Sequence, residues 1–330
     1  MTAPLPDMPP YASSSQRIPG IIPRVFHHAD FSLNTLLEQK AQQGLRIALA
    51  IPTLNEAATI GAIVRTAQSA LQQEHALLDE ILVIDSGSED GTCALAAEAG
   101  AQVTLARDIL PEIVSPGGKG ENLWKAAHVS SADILCFIDG DIANFAPHFV
   151  TGLLGPLLLE ETLLFTKAFY ERPLSPGGRL PDPGGGRVTE ILVRPFFSLF
   201  FPHLCGIIQP LSGEYAMRRE LLENLVFPSG YGVEAAHLID IARIYGLGVM
   251  AQVDLEERVH RVRATADLGR MAFGILQSLW QRLPEQDAAA QAIASPPPFQ
   301  SMLWDGQQYH LTRSELKETD LPPHSSLGTP

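Results

Sequence analysis

The sequence predicts an α/β fold, a mostly parallel sheet with helices on both faces. Two observations carry this. Short apolar runs alternate with helical patterns across residues 46–141, with short links between them, and in that order each helix can cross back over the sheet to start the next parallel strand. The polar stretches "PTLNE", "DSGSEDGT" and "DGD" follow directly on the apolar runs, which is where open parallel sheets gather their ligands.

The elements follow in order. "RIALAIP" (46–52) is a continuous apolar strand, and the next stretch places Ile60, Ile63, Val64, Ala67 and Leu71 at helical spacing. "EILVIDSG" (80–87) is a second strand, and "EDGTCALAAEAG" is a helix that Gly100 stops. "AQVTLA" (101–106) is a third strand, "ENLWKAAHVS" a helix, and "DILCFIDGD" a further strand whose buried end runs through Ile138. Beyond residue 150 the alternation weakens. Strands are expected in 163–173 and 213–219, with the Gly- and Pro-rich run 175–190 between them, then a helix over 232–246, a strand over 249–255 and a helix over 266–283. Four parts result: a loose arm, 1–44, ending in a short helix; a first α/β half, 45–150; a mixed second half, 151–284; and an extended tail, 285–330.

The chain has 330 residues, 45% hydrophobic and 18% charged, enough to bury a large core. Its net charge of −14 argues against a broad nucleic-acid surface, which needs clustered Lys and Arg. Cys93, Cys136 and Cys205 lie far apart with no CxxC pair, and read as reduced core thiols of a cytoplasmic protein. The N-terminus lacks the basic and apolar regions of a secretory signal. "FFSLFFPHLCGII" (196–208) is too short to span a bilayer and reads as buried, so no stable membrane insertion is expected.

Each polar stretch has two readings. Asp139 and Asp141, flanking Gly140, are either a solvated turn or two hard oxygen ligands for Mg²⁺ or Mn²⁺. Asp85 and Ser86 open either an ordinary turn in which Asp90 caps the next helix, or a loop in which a carboxylate meets a base or ribose. Asn55 and Glu56 are either helix caps or the polar floor of a nucleoside pocket. Lys119 sits in "GGKG", which does not match a Walker loop but places a cation where glycine amides could cradle an anion. Gly186, Arg187 and Thr189 combine amides, a guanidinium and a hydroxyl, a set suited to a phosphate or carboxylate; the other reading is a linker with a helix cap. "ERVHRVR" (257–263) clusters Arg258, His260, Arg261 and Arg263 in an otherwise acidic chain.

In this order the pieces resemble the retaining GT-A glycosyltransferases that make glucosyl-3-phosphoglycerate or mannosyl-3-phosphoglycerate. The resemblance runs from about Leu45 to Leu283. It rests on "IPTLNEAATIG", "DEILVIDSGSEDGT", "PGGKGENLW", "FIDGDIANFAPHFV", "GPLL", "KAFYERPL", "GGGRVTEILVRP", "QPLSGEYAMRRELL", "GYGVE" and "AQVDLEERVHR". It implies a GT-A fold, a nucleotide-sugar donor (UDP-glucose or GDP-mannose, with glucose the preferred sugar), a 3-phosphoglycerate-like acceptor and a homodimer. Asp139–Gly140–Asp141 is then the DxD signature, with Asp141 and His260 holding a divalent metal. Pro52, Thr53, Leu54, Asn55, Glu56, Asp85, Ser86 and Lys119 line the nucleotide pocket together with Asp139 and Gly140. Leu211, Gly213 and Glu234 border the transferring sugar, and Gly186, Arg187, Thr189, Tyr231 and Arg258 hold the acceptor. Asp139, Asp141, Glu234 and Arg258 are the expected catalytic set. Two departures stand out. Val262 replaces an amide that glucosyl members usually carry after the His-Arg pair, which leaves glycerate or another small acid open as acceptor. Ser212 stands where a second Gly is common, close to the sugar. Competing readings are an inverting enzyme acting on lipid or polysaccharide and a non-catalytic nucleotide-sugar binder.

Overall fold

The computed structural model describes residues 23–113, 115–171, 186–259, 265–283, 299–304, 309–314 and 318–327. The chain enters through strand β1 (Arg24–His27) and helix α1 (Leu33–Gln43), whose first turn is capped by the Ser32 hydroxyl accepting from the Thr35 amide. Then come β2 (Ile47–Thr53), α2 (Ile60–Ala67), β3 (Glu80–Asp85), α3 (Thr92–Glu98), β4 (Gln102–Leu105), α4 (Lys119–Val129) and β5 (Ile134–Phe137), the alternation expected from the sequence. The second half holds α5 (His148–Leu159), β6 (Phe165–Glu171), α6 (Arg194–Phe200), β7 (Tyr215–Arg218), α7 (Arg219–Asn224), β8 (Phe227–Pro228), α8 (Val233–Ile244), β9 (Met250–Glu257) and α9 (Thr265–Trp280). A hairpin, β10 (Phe299–Trp304) and β11 (Tyr309–Ser314), and the short β12 (Asp320–Leu321) close the chain.

Eight strands form the main sheet in the order β1-β9-β6-β7-β5-β2-β3-β4. Neighbours run parallel except at β7, which is antiparallel to both β5 and β6. Period-2 alternation decides which side each residue serves. On β2, Ala48 and Ala50 join the core beneath α4, α8 and α9, while Ile47, Leu49 and Ile51 join the opposite core beneath α1, α2, α3 and α5.

Four differences from the sequence expectations have physical causes. The arm is not wholly loose, because β1 pairs in register with β9 from Arg24↔Ala251 to His27↔Asp254. Helix α5 went unread because "HFVTGLLGPLLL" has no polar face: Phe149, Val150, Leu153, Leu154, Leu157 and Leu158 are all buried, so no stripe marks a helical period. Strand β5 stops at Phe137, so Ile138 belongs to the following loop although it is buried. The last part of the tail returns to the body: β12 pairs antiparallel with β8, Leu321 is buried, and the Trp124 Nε1–H donates to the Pro322 carbonyl at 2.9 Å.

Glu318 fixes this return. Its Oε2 accepts from the Gly230 amide at 2.8 Å, and burial pushes its carboxyl up to about 7. A carboxyl raised in the folded state favours folding fully below its unfolded value and loses that contribution as pH rises through 7. Glu318→Gln keeps an acceptor for Gly230 but cannot ionise. We expect urea melts of the two proteins to coincide near pH 5 and the variant to be more stable by about 2–3 kcal/mol at pH 8. A constant difference across that range would exclude this role for Glu318.

Candidate active site

The carboxyl end of β5 runs into Asp139, Gly140 and Asp141, and the Thr59 hydroxyl pins this turn by donating to the Gly140 carbonyl at 2.5 Å. Arg258 follows directly on β9 and is set by its own amide, which donates to the Glu171 carbonyl at the end of β6 at 2.9 Å. Its Nη2 lies 2.9 Å from Asp139 Oδ2 and 2.7 Å from Asp141 Oδ1, so the two carboxylates converge on one cationic point. On its other side, Arg258 Nε is 3.0 Å from Glu214 Oε1, a charge contact without hydrogen-bond alignment. The Tyr170 hydroxyl donates to Glu214 Oε2 at 2.5 Å.

Lys119 opens α4 and reaches Asp139 Oδ1 at 2.5 Å and Glu234 Oε1, in the first turn of α8, at 2.6 Å. The glycines around it make this reach possible. A Cβ on Gly120 would overlap the Pro228 carbonyl, and the Gly120 and Glu121 amides donate to the Gly230 and Ser229 carbonyls. Those two amides are therefore spent on seating α4 against the loop before α8. The idea that this glycine run cradles an anion through its amides is corrected to that extent; Lys119 is placed by it instead.

Burial by itself would drive Lys119 and Arg258 toward the neutral form. Asp139 and Glu234 outweigh it for Lys119, and Glu214, Tyr170, Asp139 and Asp141 outweigh it for Arg258, so both are held well above their ordinary values and stay charged. Lys167, from β6, is also buried; its ammonium donates to the Ser212 carbonyl at 2.8 Å, and desolvation lowers it to about 8. Four carboxylates (Asp139, Asp141, Glu214, Glu234) thus meet three cations (Lys119, Arg258, Lys167). Among the described residues, Asp141 Oδ2 takes no hydrogen bond. Convergent hard oxygens, one of them open, in a site with surplus negative charge fit a divalent ion of the Mg²⁺ or Mn²⁺ kind. His260, the other expected metal ligand, lies outside the described residues, as does Val262.

At the ends of β2 and β3 the polar residues bind one another. Asp85 is buried, and it accepts from the Thr53 hydroxyl at 2.7 Å, the Gly87 amide at 2.8 Å, and the amide and hydroxyl of Ser88, each at 2.6 Å. Desolvation acts to raise its pKa, but these donors prevail and lower it. Asp85 therefore shapes the loop from inside, whereas Ser86 and Leu54 are exposed at its surface. Asn55 adopts a left-handed backbone (φ 58°); its amide donates to the Ser88 hydroxyl at 2.7 Å, and its Oδ1 accepts from the Glu89 amide at 3.1 Å. Neither Asn55 nor Glu56 caps α2, since Thr59 stands at its N-cap. Asp90 does accept from the Thr92 amide, at 3.1 Å, as α3 begins. Pro52 lies within β2 beside Gly140.

The remaining expectations fall unevenly. Gly213 is tight against the Lys119–Asp139 pair, and Leu211 and Tyr231 are half-buried against the core. Ser212 is fully buried, its hydroxyl donating to the Ala168 carbonyl at 2.6 Å, so it turns into β6. Thr189 is buried in the helical turn Thr189–Val193, Arg187 is exposed, and Gly186 precedes them at the edge of the described segment. Three contributors lie in stretches that carry the resemblance but have no role there: Glu214, Tyr170 and Lys167. The signal for Glu214 and Lys167 was present, each a charge inside an otherwise apolar strand region, "SGEYAM" and "LLFTKAF".

The sequence matches Glycosyl transferase family 2 over residues 48–225. It is 50% identical to the glucosyl-3-phosphoglycerate synthase of Petrotoga mobilis over 265 residues, 80% of this chain and 82% of the relative. The chain belongs to glycosyl transferase family 2, in its glucosyl-3-phosphoglycerate synthase branch. The glucosyl-3-phosphoglycerate synthase of Mycobacterium tuberculosis, solved in complex with Mn²⁺, UDP and phosphoglyceric acid, superposes with a TM-score of 0.79 at 37% identity, covering 92% of this chain and 98% of that one. The mannosyl-3-phosphoglycerate synthase of Rubrobacter xylanophilus superposes with a TM-score of 0.83 at 33% identity, covering 92% and 97%. The synthase branch thus brings the expected GT-A architecture, and the Asp139–Asp141 turn sits at the carboxyl end of β5. No helix among the described residues is long and apolar enough to cross a membrane.

Proposed function

We propose that this chain is a metal-dependent retaining glucosyltransferase that moves glucose from UDP-glucose to the 2-hydroxyl of 3-phosphoglycerate. The observation that carries the reading is the convergence of Asp139 and Asp141 on one cationic point, with Lys119 and Arg258 fixed beside them. The relatives support the substrates: the Mycobacterium tuberculosis synthase is solved with UDP-glucose, Mn²⁺ and phosphoglyceric acid together. Six further synthases of that name, the Petrotoga mobilis relative aside, also favour glucose over mannose.

Asp141 and His260 hold the divalent ion in this reading, and when bound it supplies Lewis-acid neutralisation of the departing diphosphate. The chain's own groups do the rest. Asp139 holds Lys119 and Arg258 side by side, and Glu234 fixes Lys119 from its far side, so two cations are in place before charge develops on the leaving group. Pro52 to Glu56, Ser86 and Gly140 form the nucleotide surface. Asp85 supports it from beneath. Gly186, Arg187, Thr189, Tyr231 and Arg258 receive the phosphate and carboxylate of the acceptor. Glu234 orients a sugar or acceptor hydroxyl; paired with Lys119 and almost wholly buried, it is poorly disposed to attack as a nucleophile. Transfer then goes by same-face attack. The bond from the anomeric carbon to the phosphate oxygen breaks, the bond to the acceptor 2-oxygen forms, and the departing phosphate oxygen takes the acceptor's proton.

Residues 45–150 then bind the donor and 151–284 the acceptor, in a cytoplasmic homodimer. A donor-by-acceptor matrix tests the proposal. UDP release from UDP-glucose should need Mg²⁺ or Mn²⁺ and rise at least ~10²-fold on adding 3-phosphoglycerate, in line with what placing both reactants contributes. Faster turnover of GDP-mannose, or stimulation by glycerate alone, would reassign the donor or the acceptor.

A further inference from the structure

Away from the Asp139 turn, a second group of ligating side chains meets where β1 leaves the sheet. His27 ends β1, His28 follows it, and Glu256 comes from the end of the paired strand β9. One ligand atom from each lies within 4.8 Å of the other two. Glu256 Oε1 is 3.1 Å from His28 Nε2 and 3.8 Å from His27 Nε2. In tetrahedral coordination with bonds of about 2.0–2.1 Å, ligand atoms stand about 3.3 Å apart, so two of the three separations already bracket that value. We propose that His27, His28 and Glu256 form a binding site for a borderline divalent cation of the zinc class, separate from the site at Asp139 and Asp141.

Two further features favour a ligand set over a casual ion pair. The buried Nε2 of His28 has no hydrogen-bond partner, and its approach to Glu256 Oε1 lacks the alignment of a hydrogen bond. At 3.1 Å the nitrogen and the carboxylate oxygen can both bind one cation when the ring proton of His28 sits on Nδ1; without a cation, the same contact holds Glu256 ionised. Glu256 also holds a left-handed backbone (φ 66°), with its amide donating to Asp254 Oδ1 at 2.8 Å, a costly conformation that turns its side chain toward the histidines. His148, at the start of α5, lies against His28 with ring centroids 4.5 Å apart and the planes tilted by 36°. Two imidazoles and one carboxylate prefer zinc-class ions to Mg²⁺, which takes oxygen ligands. The site ties the arm to the strand that leads, two residues on, to Arg258. Loading has a local cost, because His27 Nδ1 now accepts from the Ala29 amide at 3.2 Å. Coordination through Nε2 places the ring proton on Nδ1 and breaks that bond.

The test is calorimetric titration of the full chain with Zn²⁺ alone, and with Mg²⁺ alone, comparing wild type with His28→Ala and Glu256→Gln. Glu256→Gln is nearly isosteric and guards against a folding failure in the other variant. Wild type should bind one more equivalent of Zn²⁺ than either variant, or bind that equivalent at least tenfold more tightly, with no matching Mg²⁺ event. The NMR signal of the Ala29 amide should shift with the first equivalents of Zn²⁺ at this site. Identical Zn²⁺ titrations for wild type and both variants would overturn the proposal, as would an unmoved Ala29 amide at saturation.

Discussion

Asp141→Ala should lower kcat/KM for glucosyl transfer by ~10²–10³-fold, the range expected when transition-state charge stabilisation at a leaving group is lost. This carboxylate takes no hydrogen bond on its second oxygen among the described residues, and it shares the Arg258 Nη2 contact with Asp139. Its removal takes away a metal oxygen and lets Arg258 relax toward Asp139 and Glu214. Arg258 keeps those two carboxylates, so the change should fall short of the ~3–5 kcal/mol seen when a buried ion pair loses its sole partner. The variant should melt within a few degrees of wild type while the Mn²⁺-dependent gain in UDP affinity disappears. Asp141→Asn should lie close to Asp141→Ala in activity, because an amide is a poor metal ligand. Wild-type metal dependence in either variant would place the cation elsewhere.

The second large effect is expected at a residue with no chemistry of its own. Gly213 packs so closely that an added Cβ would fall within 2.5 Å of Lys119 Nζ and Asp139 Oδ1 and closer still to Asp139 Oδ2. Gly213→Ala must therefore part the Lys119–Asp139 pair or push back β7. Overpacking of this kind costs ~1–3 kcal/mol in stability. Displacing two preorganised charged groups should cost activity more, with kcat falling ~10²-fold. Ser212→Ala, one residue earlier, is the control. Its hydroxyl faces the Ala168 carbonyl, so it should lose some stability and leave the donor preference unchanged. If Gly213→Ala kept full kcat, the tight Lys119–Asp139–Gly213 packing would have no bearing on turnover.

The parts of the site that could be read in the sequence are those whose members are neighbours along the chain. Asp139 and Asp141 are two residues apart, at the end of an apolar run that leaves no doubt about the strand. Asn55, Asp85 and Ser86 sit at the ends of strands with clear helical patterns behind them. Glu214 stands out locally as a charge in an apolar stretch, but its role could not be read, because its partners Tyr170 and Arg258 are brought to it by β6 and β9, far away in sequence. Asp85 had the right location and an incomplete role: an acid at a strand end looks ready for a ligand, and only the donors folded around it reveal an internal brace. Among the elements, α5 was hidden by its uniform apolarity and β1 by brevity, since four residues with a mixed burial pattern carry no period. The antiparallel setting of β7 is a tertiary choice with no local signature.

The most direct measurement is proton NMR of the product formed from UDP-glucose, 3-phosphoglycerate and Mg²⁺ by the full-length chain. One glucosylated phosphoglycerate is expected, linked through the acceptor's 2-oxygen, with its anomeric proton keeping the α configuration of the donor. A β-linked product, or free glucose with no glucosylated acid, would contradict it.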